Sequence, residues 1–282
     1  MASSPAHLVS DARLPSPAAF ETLCGPFSGE IEKSALVLRF QSGPQHAGED
    51  GAVHDGALLA FADFSMFAIV NHHADGAYAD RANRDLETIV TLSLSAQLLA
   101  RPSPGAALSA RGRVVRISRR NVLVEGAIAD ETHVIATFQG SWAKTAPPAA
   151  AGGDQGFINA TEGWLGSPFA KQIGPIWASR RRGAVSAIVH ERHCNPLGIM
   201  HGGMGLGLIA AAHRAVLGSG RLAALSVSFL APGGLWALVD AQVMAVGEGP
   251  LQATRGEMTS RGELLAHYGG LWLAHKSDLD GK

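Results

Sequence analysis

Residues 195–217 read NPLGIMHGG followed by MGLGLIAAAHRAVL, and this stretch decides how the rest of the chain is read. An Asn, a His and two Gly stand directly ahead of a small-residue apolar run whose length and pattern predict a helix. Free N–H groups at a helix start, with the positive end of the helix dipole behind them, suit a polar or negatively charged group. Yet the first two turns of this helix carry no carboxylate, thiol or hydroxyl. A reactive group has to arrive from another part of the chain.

Bulk composition narrows the classes. The 282 residues carry 23 Lys+Arg against 24 Asp+Glu, a net charge of −1, which gives no support for nucleic-acid or membrane-surface binding. A hydrophobic share of 46% with 17% charged residues describes a chain able to bury a core. Cys24 and Cys194 are the only cysteines, so no disulfide framework is implied. The N-terminal residues lack a basic start followed by an apolar core, which argues against a secretory signal. The most membrane-like run, 57–70, is too short to span a bilayer and has Asp63 in its middle. A soluble, cytoplasmic protein is expected.

The chain repeats itself. Each half opens on a Gly-Pro, CGPFSGE and IGPIWAS, followed by a short alternating strand, SALVLRF and GAVSAIV. A loop ending in His-x-Gly then leads into an apolar helix, HDGALLAFADFSMFAIV in one half and HGGMGLGLIAAAHRAVL in the other. A strand that breaks at Pro and Gly and two further strands follow, and each half closes on an aromatic-x-Gly-x-Trp strand, FQGSW and YGGLW. The longer first half places its extra residues in NHHADGAYADRANRDLE, read as a loop carrying His72 and His73. The expected organisation is an N-terminal extension 1–19, a first repeat 20–145, an Ala/Gly/Pro-rich linker 146–163 and a second repeat 164–278. One helix among antiparallel strands gives an α+β class, a sheet wrapped around a central helix, twice. The two sheets would pair edge to edge as a built-in dimer.

With these residues in place, the chain resembles the hotdog-fold acyl-CoA thioesterases of the phenylacetate-pathway (PaaI-like) type, here as a tandem double hotdog. The motif of that family is N-x-x-G-x-x-H-G-G with an Asp nine residues beyond the His. The second repeat matches its first part with Asn195, Gly198, His201, Gly202 and Gly203, but the acid position holds Ala210. In the first repeat the corresponding positions read Gly48, His54, Asp55 and Gly56, while the acid position holds Asp63. Each half has kept what the other has lost. Because the family's site lies across a dimer interface, the resemblance implies one composite site, with Asn195, His201 and Gly202 facing Asp63. The mirror site, with Gly48, His54 and Asp55 facing Ala210, is expected to be dead.

The resemblance further implies roles. The Gly202 N–H would hold the thioester carbonyl as it becomes an oxyanion. Asp63 would deliver water as base, or attack as nucleophile. Asn195 would hold the water or the carbonyl, and Thr91, with Ser93 beside it, aligns with a hydroxyl that some relatives use to hold the water. Arg116, Arg119 and Arg120 cluster at a predicted hairpin and are candidates for coenzyme A phosphates, against an ordinary solvated turn; Arg180–Arg182 carry the same ambiguity. No metal and no organic cofactor are expected, coenzyme A being part of the substrate. The cluster His190, His193, Cys194 and His201 contains ligand types, but HERH lacks the helical H-E-x-x-H spacing. Cys194 reads as a small buried thiol sooner than as a nucleophile. Two further readings stay open: an enoyl-CoA hydratase of the same fold, and a non-catalytic acyl-CoA binding or sensing protein. The expected partner is an acyl-CoA, with no nucleic acid or membrane, and two chains could associate as a homodimer.

Overall fold

Asp55–His73 (α1) is apolar on nearly every side, so it folds as a helix that must be enclosed. It is: of its nineteen residues only Phe67, His72 and His73 are not buried. The computed structural model describes residues 24–25, 27–32, 35–74, 88–145, 167–174, 176–179, 184–195, 197–247 and 249–274. The extension 1–19, the linker 146–163, most of the loop after α1 and Arg180–Arg182 lie outside them.

The first unit runs β1 (Phe27–Glu32), β2 (Ala35–Gln41), a 3-10 turn at Pro44–His46, α1, then β3 (Thr88–Leu98), β4 (Ala107–Ile117), β5 (Asn121–Ala129) and β6 (Val134–Thr145). The second opens on a short helix α2 (Pro168–Ile173) and then repeats that order. It has β7 (Ile176–Ser179), β8 (Ala184–Ile188), a 3-10 turn at Glu191–His193, α3 (Gly202–Leu217), β9 (Gly220–Phe229), β10 (Leu238–Val246), β11 (Leu251–Ser260) and β12 (Glu263–Ala274).

The strands among the described residues join in one 12-stranded sheet, ordered β1-β2-β4-β5-β6-β3-β9-β12-β11-β10-β8-β7. The order reads the same from either end, which makes the junction β3–β9 a pseudo-two-fold axis. There Ser93 pairs with Ser228, Ser95 with Ser226 and Gln97 with Ala224, antiparallel. Joining the units this way covers two sheet edges that would otherwise offer unpaired backbone groups. α1 and α3 pack against each other on the inner face, and Gly56 and Gly207 mark their close approach: a Cβ on Gly56 would meet the Gly207 Cα at 3.1 Å.

Two local expectations change. The Gly-Pro openings lead into strands of their own, because β1 and β7 form hairpins with β2 and β8. Phe27 of β1 stacks on Phe61 and Phe64 of α1 at 5.3 and 4.9 Å, so the hairpin closes the core on that side. The helix α1 runs past Val70 and takes in His72 and His73, which sit in its last turn and not in a loop. Imidazoles are favourable there beside the negative end of the dipole. Among the described residues, no helix is long and apolar enough to cross a membrane.

Candidate active site

α3 begins at Gly202, with His201 as N-cap: its backbone is extended and its Nδ1 accepts the Gly203 N–H at 3.0 Å. Into this mouth reaches Asp63, from the middle of α1 in the other unit. Its Oδ2 lies 3.3 Å from His201 Nδ1, and its Oδ1 accepts a hydrogen bond from Thr91 Oγ1 at 3.2 Å. A Cβ on Gly202 would stand 2.9 and 3.1 Å from the Asp63 oxygens and 3.2 Å from Thr91 Oγ1, so only glycine leaves the space beside the carboxylate free. Asp63 is 1% exposed and His201 8%, while Gly202 and Thr91 are half-buried. The four residues therefore form a recessed group with a partly exposed rim.

His201 Nδ1, having taken the Gly203 N–H, cannot also carry a proton in the neutral ring; that proton belongs on Nε2. Asp63 Oδ2 lies 3.3 Å from the same Nδ1, so the carboxylate and the imidazole stand side by side at the helix start.

Asn195 stands in the loop that leads to His201. Its Oδ1 accepts from Leu197 N–H at 2.9 Å and Ile199 N–H at 3.4 Å, so that oxygen is committed to closing its own turn. Gly198 sits in this turn at φ +74, where a side chain would be strained. Gly203, the second motif glycine, is buried in the first turn of α3. Ser93 bonds Ser141 at 2.7 Å, across to β6. Arg116, Arg119 and Arg120 are exposed at the β4–β5 hairpin, away from Asp63. They do share the sheet's end with Thr91: Thr91 pairs with Trp142, Trp142 with Val122, and Val122 with Ile117. Three strand spacings, about 14 Å, separate the rung's ends.

The mirror mouth at the start of α1 is built differently. His54 caps the helix in the same way, its Nδ1 taking the Gly56 N–H at 3.0 Å. Asp55 occupies the place of Gly202. Its Oδ2 accepts the N–H of Leu222, the counterpart of Thr91 in β9, at 2.9 Å, and its Oδ1 lies 3.5 Å from Arg101 Nε. Arg101 also grips Asp50, which pairs with Arg214 of α3 at 2.9 Å. Phe169 of α2 stacks on the His54 ring with centroids 4.7 Å apart. Burial, with Arg214 and Arg101 nearby, pushes His54 down to about 3, so its ring stays neutral. Burial likewise raises Asp55, against the opposing pull of Arg101 and the Leu222 N–H. Partial burial works to raise Asp50, but the hydrogen bonds and charges of Arg101 and Arg214 outweigh it and hold this acid at about 2. The mouth is filled from three sides.

The sequence reading missed Asp50, Arg101, Arg214 and Phe169, whose roles rest on contacts between distant segments. It also passed over a duplicated device that was visible. His46 and His193 each precede the N-cap His by eight residues, and each takes a backbone N–H three residues back, from Gly43 at 2.8 Å and His190 at 3.0 Å. Their carbonyls receive the N–H groups of His54 and His201, both at 2.8 Å, which fixes each helix start. Cys194 is buried, its thiol pushed up to about 11 by desolvation and by Glu191, so it is no ready nucleophile. Burial, with Arg192 and His190 close by, pushes His193 down to about 4. Among the described residues no group of three or more His, Cys, Asp or Glu is placed to hold a metal.

Residues 50–137 match the model of the Thioesterase superfamily. That span lies in the first unit and contains Asp63 and Thr91 but not 195–203, although the second unit's motif is the fuller one in sequence. No curated protein matches the chain. Among solved structures, the chain is similar to a conserved protein of unknown function with hot dog fold from Alicyclobacillus acidocaldarius, with a TM-score of 0.60 at 13% identity over 92% of this chain and 99% of that one. It is similar to an acyl-ACP thioesterase from Bacteroides thetaiotaomicron, with a TM-score of 0.58 at 12% identity, covering 84% and 96%. It is also similar to the 12:0-ACP thioesterase from Umbellularia californica, with a TM-score of 0.59 at 9% identity, covering 84% and 93%. At such identities these likenesses speak to architecture. The fold is the hotdog fold, α+β, present twice in one chain with each sheet curved about its own helix.

Proposed function

We propose that the protein is a thioester hydrolase of the PaaI-like type that cleaves an acyl-CoA to the free acid and coenzyme A at one composite site between its two units. The observation that carries this reading is the meeting of the Asp63 carboxylate from one unit with the His201–Gly202 helix start of the other. The thioester carbonyl docks against the Gly202 N–H, where the dipole of α3 stabilises the negative oxygen formed on attack. Asp63 takes a proton from the attacking water, and Thr91 Oγ1 steadies the carboxylate. The C–S bond then breaks, and the departing thiolate receives that proton. His201 orients the helix start and Asn195 braces the loop that carries it. Arg116, Arg119 and Arg120 take the phosphates of the nucleotide end. The reaction calls on no metal or organic cofactor.

The test follows free thiol released from a panel of acyl-CoAs. Asp63→Asn is expected to lower turnover by roughly 10²–10⁴-fold, the usual worth of a general base, while Asp55→Ala keeps it. Equal loss in both variants, or no thiol release by the unaltered protein, overturns the reading. Comparing acyl-CoA with acyl-pantetheine and an acyl carrier protein tests the arginine hairpin. A Km raised by Ala at Arg119 and Arg120 for acyl-CoA, but not for acyl-pantetheine, supports the coenzyme A assignment; preference for the carrier protein refutes it.

A further inference from the structure

The two units differ at one more set of equivalent positions, and the set adjoins Asp63. One turn into α3, a Cβ on Gly205 would meet Met258 Cε at 3.3 Å, Phe229 Cε1 at 3.3 Å and Met200 Cε at 3.5 Å. All three are ends of side chains. Met200 lies folded over Gly233, whose Cβ would stand 3.3 Å from the same Met200 Cε. Phe229 ends β9, directly after Ser228, the partner of Ser93, which places it beside the Thr91–Leu92 segment of β3. Gly205 follows Gly202 by three residues, so the two are neighbours on the helix surface. The slot therefore begins where the candidate reaction site ends.

In the first unit the same places hold Leu58 for Gly205, Val53 for Met200, Ile128 for Met258, Leu98 for Phe229 and Pro102 for Gly233. The correspondence follows from shared bonds. The Val53 N–H donates to Pro102 O at 2.9 Å as the Met200 N–H donates to Gly233 O at 2.8 Å. Likewise Leu99 N–H donates to Ile135 O as Leu230 N–H donates to Leu265 O, both at 2.8 Å. Val53, Leu58 and Ile128 are 0% exposed and Leu98 2%, a filled core of branched side chains. Methionine is unbranched with three rotatable bonds and re-packs where branched residues do not. The adaptable version stands beside Asp63; the rigid one stands beside the mouth plugged by Asp55.

We propose that the substrate's acyl arm is a linear alkyl chain, and that it enters between α3 and strands β9 and β11 over Gly205 by displacing the Met200 and Met258 side chains, with Phe229 as the side wall. Methionine side chains are themselves unbranched, so moving Met200 and Met258 aside leaves a path shaped for an unbranched alkyl group sooner than for an aryl ring. Small residues further along α3 do not supply the room: Gly207 faces Ile173 Cδ1 at 3.3 Å and Phe169 at 3.6 Å. The proposal rests on the hydrolase reading only for what lies at the mouth of the slot, and its test does not need turnover.

The probes are S-alkyl-coenzyme A thioethers bearing ethyl, hexyl, dodecyl and 2-phenylethyl groups, with affinity measured by calorimetry. Affinity is expected to rise with chain length by up to about fourfold per carbon, the equivalent of ~0.8 kcal/mol per buried methylene. The phenylethyl probe should bind no better than hexyl. Gly205→Leu and Met258→Ile, which install the first unit's residues, should flatten the length dependence, so that the dodecyl thioether binds no more tightly than the ethyl one. Gly205→Ala with Met200→Val serves if the leucine variant does not fold. Length dependence that survives these changes in folded protein, or preference for the phenylethyl probe, overturns the slot. Graded binding without thiol release from the matching acyl-CoAs would sink the hydrolase and leave the slot standing.

Discussion

At the mouth of α3, Gly202 leaves a space into which Asp63 reaches from the other unit; at the mouth of α1, Asp55 stands in the place of Gly202 and Ala210 in that of Asp63. Both mouths contain a carboxylate. In one it comes from across the interface and lies next to a half-buried glycine and threonine. In the other it comes from the helix start itself and is spent on the Leu222 N–H and Arg101. The same chemical group is a candidate reagent in one place and a plug in the other, and the difference lies in what else is bound to it. A motif search that scores residue types one at a time does not see this.

The sharpest way to break the comparison is to give the α3 mouth a side chain. Gly202→Ala puts a methyl within 2.9–3.1 Å of both Asp63 oxygens. Turnover is expected to fall about 100-fold or more, the cost of misplacing a reacting group by an ångström, with little change in unfolding midpoint. Unchanged thiol release would mean that this mouth is not where the chemistry occurs. Removing the plug should do the reverse. Asp55→Ala strips the buried Leu222 N–H of its acceptor, which costs about 1–3 kcal/mol of stability by denaturant titration, with turnover retained. The smallest effect concerns acid. Asp50, held at about 2 against an unfolded value near 3.9, adds stability that is fully present above pH 4 and lost as pH falls through about 2. In Asp50→Asn that part of the acid limb should vanish from unfolding midpoints measured between pH 2 and 7; an unaltered limb would show that Arg101 and Arg214 do not hold Asp50.

Much of this was legible beforehand. The duplication and the two enclosed helices follow from pattern alone, because helix burial is local, while the acid nine residues past a His was singled out by the family resemblance. Short α2 went unread, although Ser167 caps it, accepting the Ala170 N–H at 3.1 Å, and Pro168 opens it. The strands β1 and β7 were hidden because they are short and gain their identity from pairing. The part played by Asp55 was beyond reach, because its partner Leu222 lies 167 residues away. Asn195 shows the opposite limit: its place in the motif suggested contact with substrate, while its Oδ1 turns back on its own loop.

The shared sheet, continuous through β3 and β9, has an evolutionary corollary. Two identical subunits related by a true two-fold axis receive every substitution twice, so an aspartate that blocks one helix start would block both. Linking the halves in a single polypeptide removes that coupling: one pole can harden into scaffold while the other stays free to adapt.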